Sequence, residues 1–419
     1  MNSIVVESIH LALRTLRRNA LRTFLSILGT AIGITSIVVI MSAGQSVKAI
    51  FDSTLTMFGT NFIQVEIKVP NTSHTSSENA GGIAEGISIT SLSLDDKEDI
   101  EKLANITGSY GAVVGQAAVI SPYREKRYTY YAVSHEFDYI DTGEIAEGRF
   151  YNDEEEESLS RVVVLGKNVA ETLFPNQSTM GQTVKIQKQS FRVIGVFKER
   201  GSVAFFDMDE LMYIPLKTAH KRLLGFDHLM TIIAQVKDPS LSDATAEEMG
   251  RVVRDNHEIT DPDKDDFAVM TQEEAADLVN GILDGVTLVL GIIASIALVV
   301  GGVGIMNIMY VAVSERIFEI GLRKAVGANG RSIRTQFLIE AIVITLLGGI
   351  AGITLAITLI AVLFFVAGYL GFDWPFAISA SSIWLSLVFS TFVGLFFGYF
   401  PAKRASQLHP VTALTNQIS

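Results

Sequence analysis

Cysteine is absent from the 419 residues, so no disulfide braces the chain, and a zinc site could draw only on seven scattered histidines and on carboxylates. Also missing are H-E-x-x-H, the zinc-protease helix pattern, and G-x-x-x-x-G-K-S/T, the loop that cradles nucleotide phosphates. The stretch Gly327-Ala328-Asn329-Gly330-Arg331-Ser332 has neither the lysine nor the spacing of such a loop. The chain is therefore read as a non-enzyme with no catalytic residues, no metal and no cofactor of its own. Asp261, Asp263 and Asp265 open like a calcium loop, but Asp266 stands where that loop needs Gly, and the stretch is read as a solvated acidic turn. The run Glu154 to Glu157 reads as an exposed loop. Ser121, His135 and the aspartates form no triad that spacing alone can assemble.

Basic residues are scarce outside residues 46–280. The eleven found there are Arg14, Arg17, Arg18 and Arg22; Arg316, Arg323, Lys324, Arg331 and Arg334; and Lys403 and Arg404, all beside apolar runs. Those runs, approximately Leu21 to Ala43, Leu283 to Val313, Phe337 to Gly368 and Ser382 to Phe400, can each cross a hydrocarbon core that needs about 20 helical residues. Short loops rich in Lys and Arg stay in the cytoplasm, which predicts four spans with both termini and the middle loop inside. The third and fourth spans are joined outside around Phe372, Asp373 and Trp374. Ser42-Ala43-Gly44 faintly resembles a cleavage site, but the first run is too long for a leader and reads as an uncleaved anchor.

Residues 46–280 form a segment of soluble-domain size with 22 Lys and Arg against 39 Asp and Glu, a net of −17, while the rest has 11 against 6. The net charge of −12 thus combines an acidic outer domain with a basic inner face, which argues against nucleic acid as a partner. Strands are predicted at Phe62–Val69, Val113–Ile120, Arg127–Val133, Arg161–Leu165, Thr183–Gln187, Phe191–Phe197 and Thr231–Val236, with a hairpin joining the fifth and sixth. Helices are predicted from the Ser93/Asp96 capping box, over Lys167–Phe174 and over Ala244–Asp255. The fold class is an α-helical membrane protein with an α+β extracytoplasmic domain inserted between the first two spans, itself split by a β-rich insertion from about Gly108 to His228. Domain limits follow as 1–45, 46–280 and 281–419, the last holding a cytoplasmic loop at 314–334.

Thr271 and Glu274 form a second capping box, and no proline interrupts the sequence from there to Val313, allowing one helix of roughly 63 Å at 1.5 Å per residue. The apolar stripe Val47, Ile50, Phe51, Thr54, Leu55 and Phe58 extends the first span in the same way. A paired stalk that carries motion and a docking face for the outer domain both fit this stripe. Gly29 and Gly33, Gly348 and Gly352, and Gly394 and Gly398 have G-x-x-x-G spacing, which lets helices approach closely within the chain or between subunits. Asn307 and Glu340 are read as packing or interfacial groups, because a transport path would need more intramembrane charge.

Ser314 to Ala328 reads SERIFEIGLRKAVGA, in which Glu319 and Arg323 form an i,i+4 pair, Ile317 and Ile320 share a face, and Gly327 can stop the helix. This amphipathic string resembles the coupling segment of MacB-type ABC transporter permeases, in the FtsX-like permease superfamily. The resemblance continues through Gln336-Phe337-Leu338-Ile339-Glu340-Ala341, Leu347-Gly348-Gly349, Gly398 to Ser406 and His409 to Leu414. In the outer segment, Glu147-Gly148-Arg149-Phe150, Val162 to Gly166, Leu173-Phe174-Pro175, Met180-Gly181-Gln182 and Phe191 to Val196 resemble blocks of the MacB-like periplasmic core domain. Asn329-Gly330 departs from the charged residues often found there, which would soften the exit from the coupling helix.

The resemblance implies a porter part and a β-rich part on a stalk over four spans, in a multi-pass protein of a bacterial cytoplasmic membrane. It also implies partners: a separate ABC ATPase that binds ATP and Mg, a second permease copy or paralogue, membrane lipid, and a periplasmic membrane-fusion adaptor. Many relatives carry a fused nucleotide-binding domain at the N-terminus, for which the early first span is expected to leave no room. The residues expected to dock the ATPase are Glu315, Arg316, Ile317, Glu319, Ile320, Gly321, Arg323, Lys324 and Gly327, and Ile320→Asp is expected to uncouple the ATPase while sparing the fold. Export of a drug, peptide or toxin by mechanotransmission is the leading reading. Lipoprotein release, or sensing and scaffolding for antimicrobial peptides or cell-wall enzymes, are the alternatives.

Overall fold

The computed structural model describes residues 20–57, 61–73, 78–79, 86, 88–175, 177–203, 206–369 and 378–415. Arg14, Arg17, Arg18, Phe58, Phe372, Asp373 and Trp374 lie outside them, as do the side chains of Arg22, Thr54 and Leu55. The chain divides into two compact units, one of Met1–Ala49 with Asn280–Ser419 and one of Ile50–Val279.

Among the described residues, four helices are long and apolar enough to cross a membrane: Ile27–Phe51 within Ala20–Met57, Gln272–Glu315, Gly330–Tyr369 and Ala380–Gln407. Gln272–Glu315 is one helix of 44 residues, about 66 Å at 1.5 Å per residue. It begins at the Thr271/Glu274 box: Glu274 N donates to Thr271 Oγ1 at 3.1 Å, and Thr271 N to Glu274 Oε2 at 2.9 Å. Small residues set how these helices pack. Gly29 lies against Gly301, Gly33 against Leu298, Gly348 against Thr30, Gly352 against Ala31, Gly394 against Thr345 and Gly398 against Ala341. Each glycine of the three G-x-x-x-G pairs therefore faces another span of the same chain. Hydroxyls exploit the close approach: Thr35 donates to the Gly352 carbonyl at 2.9 Å, and Ser390 to that of Thr345 at 2.7 Å.

The second unit is built on a ten-stranded mixed sheet. Its main path runs Phe267–Thr271, Phe62–Ile67, Thr231–Val236, Ile106–Ile120, Glu125–Val133, Leu211–Pro215, Val162–Leu165, Gln189–Phe197, Ile145–Gly148, and Thr183–Ile186 pairs with both Ile106–Ile120 and Gln189–Phe197. Strands between Gly108 and His228 and strands flanking them share this one sheet, because Ile106–Ile120 pairs with Thr231–Val236 on one side and Glu125–Val133 on the other. Alternation along each strand separates two cores. Val113, Tyr130, Val163 and Leu165 point into one, against Leu173, Met249 and Val253 of the helices; Ala112, Tyr131, Val133, Val162 and Val164 point into the other. That second core is aromatic: Phe137 meets Tyr110 edge-on at 5.2 Å and stacks on Phe150 at 5.7 Å.

Two expectations for acidic stretches are corrected. Glu154 to Glu157 belong to a helical turn, Asp153–Glu157, capped by Asn152, with Glu156 buried and Glu155 paired with Arg149 at 2.7 Å. Carboxylates are favoured at a helix N-terminus, which the charge run alone did not reveal. The turn near Asp261 is only partly solvated, since Asp265 pairs with Arg254 at 2.9 Å and Asp266 with His257 at 2.8 Å.

His257 Nε2 also lies 3.3 Å from Asp96 of the helix Leu94–Glu101, so one imidazole ties that helix to Ser242–Asn256 and the Asp266 segment. Burial opposes charging the ring, yet the hydrogen bonds it donates to Asp266 and Asp96 outweigh it and raise its pKa to about 9. Burial likewise opposes ionising both aspartates, and their hydrogen bonds, that of His257 foremost, carry both below the usual range. A raised histidine pKa contributes stability that is complete below about 6.5 and is lost as pH rises through about 9. The depressed aspartates contribute stability that is lost as pH falls below the ordinary carboxylate range. The second unit's melting temperature is expected to fall by several degrees between pH 6.5 and 9.5, and His257→Gln to flatten that response. An unchanged pH slope in the variant would remove His257 from this role.

Candidate functional site

The segment between the second and third spans forms the helix Ile317–Ala325, separated from Glu315 by a break at Arg316 (φ −111°, ψ 15°). Gly327, at φ 102°, turns the chain out of it, a conformation that costs a residue with a Cβ. Asn329 then caps the third span, its Oδ1 accepting from Arg331 N at 3.1 Å, so Asn329-Gly330 makes a defined exit and not a softened one.

One side of this short helix is fixed to the helices around it. Ile320 is 4% exposed and packs with Ile305, Met309, Val313, Ile333 and Phe337. Gly321 admits the terminal helix Pro410–Thr415: a Cβ there would lie 2.6 Å from that of Ala413. Lys324 Nζ donates to the carbonyls of Ser406 and Leu408 at 2.6 and 2.8 Å, satisfying groups left open where Ala380–Gln407 ends. Arg316 Nη1 reaches Glu340 Oε2 at 3.1 Å, and Glu340 is 1% exposed, so this carboxylate of the third apolar helix is an ion-pair partner within the bundle. Arg323 bridges Glu319 at 2.7 Å and Gln336 at 2.8 Å.

The opposite side is open and apolar: Phe318, Leu322 and Val326 are 44%, 50% and 84% exposed, next to exposed Glu315 and Ala325. They recur at i, i+4 and i+8, a stripe of one helical face. Of the nine residues expected to form the docking surface, Ile320 and Gly321 are therefore turned inward, Ile317, Arg316, Glu319, Arg323 and Lys324 are half-buried, and Glu315 and Gly327 are exposed. Ile320→Asp would place a carboxylate in an apolar core and disturb the fold, contrary to the expectation for that variant. Ile317 and Ile320 gave an apolar face, but Phe318, Leu322 and Val326 give a second one about 170° away at 100° per residue, and periodicity cannot say which is covered.

In the second unit, Ser121 Oγ donates to Leu173 O at 2.8 Å and accepts from Arg124 N at 3.0 Å, a loop-bracing role. His135, Glu136 and Glu156 come together with ligand atoms within 4.8 Å of one another, a grouping that no sequence spacing announced.

Comparison with known proteins adds lineage to this geometry. The family described as the MacB-like periplasmic core domain matches residues 23–252, and the FtsX-like permease C-terminal family matches residues 291–410. The macrolide export ATP-binding/permease protein MacB of Azoarcus sp. is 32% identical over 417 residues, covering 99% of this chain and 60% of the relative. That of Chlorobium luteolum is 34% identical over 405 residues, covering 96% and 59%. The uncharacterized ABC transporter permease YknZ of Bacillus subtilis is 31% identical over 413 residues, covering 98% of this chain and 99% of the relative. The chain thus spans about three fifths of the MacB relatives and nearly all of YknZ.

Proposed function

Because the chain belongs to the ABC transporter permeases that join a MacB-like periplasmic core domain to an FtsX-like permease region, we propose that it is driven by a separate ATPase subunit docking on Phe318, Leu322 and Val326. The observation that carries this reading is the two-sided helix Ile317–Ala325, apolar outward and anchored inward by Ile320, Gly321 and Lys324. A face of bare Phe, Leu and Val at the basic end of a span bundle suits a protein groove, in the manner of helix-in-groove recognition.

The anchors give the docked helix something to pull. Displacing it bears on the third span through Arg316 and Glu340, on the C-terminal end of the fourth through Lys324, and on the second through its adjoining chain. The unbroken helix Gln272–Glu315 would carry that displacement outward, as mechanotransmission that needs no conduit through the four spans. The working unit is a permease dimer in a bacterial cytoplasmic membrane, termini and coupling helix inside, outer domain facing away. The cargo class is a drug, peptide or toxin delivered to an adaptor.

The test is purification of the full chain from native membranes in mild detergent, wild type beside Leu322→Asp. An ATPase is expected with the wild type and at least tenfold less of it with Leu322→Asp, at equal yield and monodispersity. Equal capture by both would overturn the docking face. An accompanying membrane-fusion adaptor supports export; an ATPase with a second, different permease and no adaptor supports lipoprotein release or peptide sensing instead.

A further inference from the structure

The turn His135-Glu136 follows the strand Glu125–Val133, and the helix Asp153–Glu157 packs Glu156 against it. His135 Nδ1 lies 3.3 Å from Glu156 Oε2 and 3.5 Å from Glu136 Oε2. These separations match the edge of a tetrahedron of donors around zinc, about 3.3–3.4 Å for bonds of ~2.0–2.1 Å. Both carboxylates are withdrawn from water, with Glu156 2% and Glu136 8% exposed. Each also keeps one buried oxygen with no hydrogen-bond partner among the described residues, Oε1 of Glu156 and Oε2 of Glu136. A buried orphan carboxylate oxygen is costly, and two in one cluster call for a cation.

The protein supplies only part of that charge. Lys97 pairs with the other oxygen of Glu136 and reaches Glu101 at 3.3 Å, leaving the negative charge of Glu156 uncompensated by any Lys or Arg ion pair among the described residues. The His135 backbone nitrogen donates to Glu156 Oε2 at 2.7 Å, which orients the carboxylate and adds no charge. Asp153 Oδ1, 3.8 Å from His135 Nδ1 on an exposed side chain, stands at the mouth. The ring is partly open to solvent, giving an ion a way in.

We propose that His135, Glu136 and Glu156 form a binding site for one divalent transition cation of the Zn2+ type in the outer domain, with His135 coordinating through Nδ1 and Asp153 or water completing the shell. One imidazole with two carboxylates is a borderline donor set that suits such an ion better than Ca2+, which takes six to eight oxygens. The ion would join the Asp153–Glu157 helix to the end of the strand Glu125–Val133, so its effect is to stiffen this part of the outer unit. This inference is independent of ATPase docking.

The experiment is calorimetric titration of the tag-free full chain in detergent, stripped with EDTA, with ZnCl2 and separately with MgCl2. One equivalent of Zn2+ is expected to bind with a dissociation constant of micromolar order or tighter and to raise the melting temperature, with Mg2+ at least a hundredfold weaker. Glu156→Gln, which keeps the volume, and His135→Gln, at a partly open position, are each expected to weaken Zn2+ binding at least tenfold with unchanged far-ultraviolet circular dichroism. Absence of a saturable equivalent in the wild type overturns the site, and so does wild-type affinity in His135→Gln.

Discussion

Gly301→Leu is expected to prevent the four-span unit from forming a stable, monodisperse protein. At Gly301 a Cβ would stand 2.7 Å from the backbone nitrogen of Thr30 and 2.8 Å from the carbonyl carbon of Gly29. Main-chain atoms of a helix cannot rotate aside, so the first two spans must separate. Separation also costs neighbouring contacts: Gly348 rests on Thr30 and Gly352 on Ala31, so the third span is seated on the same stretch of the first. Overpacking in a yielding core costs about 1–3 kcal/mol, and an obstruction by backbone belongs at or above the top of that range. Gly285, in the same helix, is the internal comparison: a Cβ there would have nothing within 4 Å among the described residues, and Gly285→Ala is expected to leave the protein intact. Thermal size-exclusion profiles of the two variants measure the difference; similar midpoints would mean that Gly29 and Gly301 do not fix this helix pair.

Arg200→Met is expected to destabilise the unit of Ile50–Val279 by roughly 3–5 kcal/mol, the cost of leaving the partner of a buried ion pair alone. Arg200 and Asp141 are 5% and 2% exposed at the side chain and meet at 2.8 Å, so neither charge has water to fall back on. Arg200 also lies 5.2 Å from the ring centre of Phe197 and donates to the Tyr213 hydroxyl at 3.3 Å, which places it among the aromatic core of the sheet. A typical domain has about 5–15 kcal/mol in all, so this loss is a large fraction. Arg200→Met combined with Asp141→Leu should recover much of it, because removing both charges also removes their desolvation. Denaturant unfolding of the full-length variants, followed by far-ultraviolet circular dichroism, reads the ordering; a single variant as stable as wild type would mean that Asp141 finds another counter-charge.

Both predictions depend on contacts between residues far apart in sequence, and this separates what was legible from what was not. Strands at Phe62–Ile67, Val162–Leu165 and Thr231–Val236 were readable because β-branched and aromatic residues are concentrated there. Helix starts at Ser93 and Thr271 were readable because a capping box is local chemistry, and both boxes form. Leu211–Pro215 and Phe267–Thr271 were missed: each has only five residues, the first buried at every position and the second half-buried at its three middle ones, so neither shows a period. The cap before Asp153–Glu157 was present in the sequence as Asn152 with Glu155, and the charge run concealed it.

The sequence by itself determined the four apolar helices, the basic flanks, the acidic segment at 46–280 and the amphipathic string at 314–328, because each is set by neighbours along the chain: length, charge and spacing. Only tertiary structure decided which face of Ile317–Ala325 is covered, that all six glycines pack within one chain, and that His135 and Glu136 meet Glu156 across a gap of about twenty residues. Periodicity defines a face but not its partner. A partner is selected by volume, charge and hydrogen-bond geometry, which exist only once distant segments are in contact.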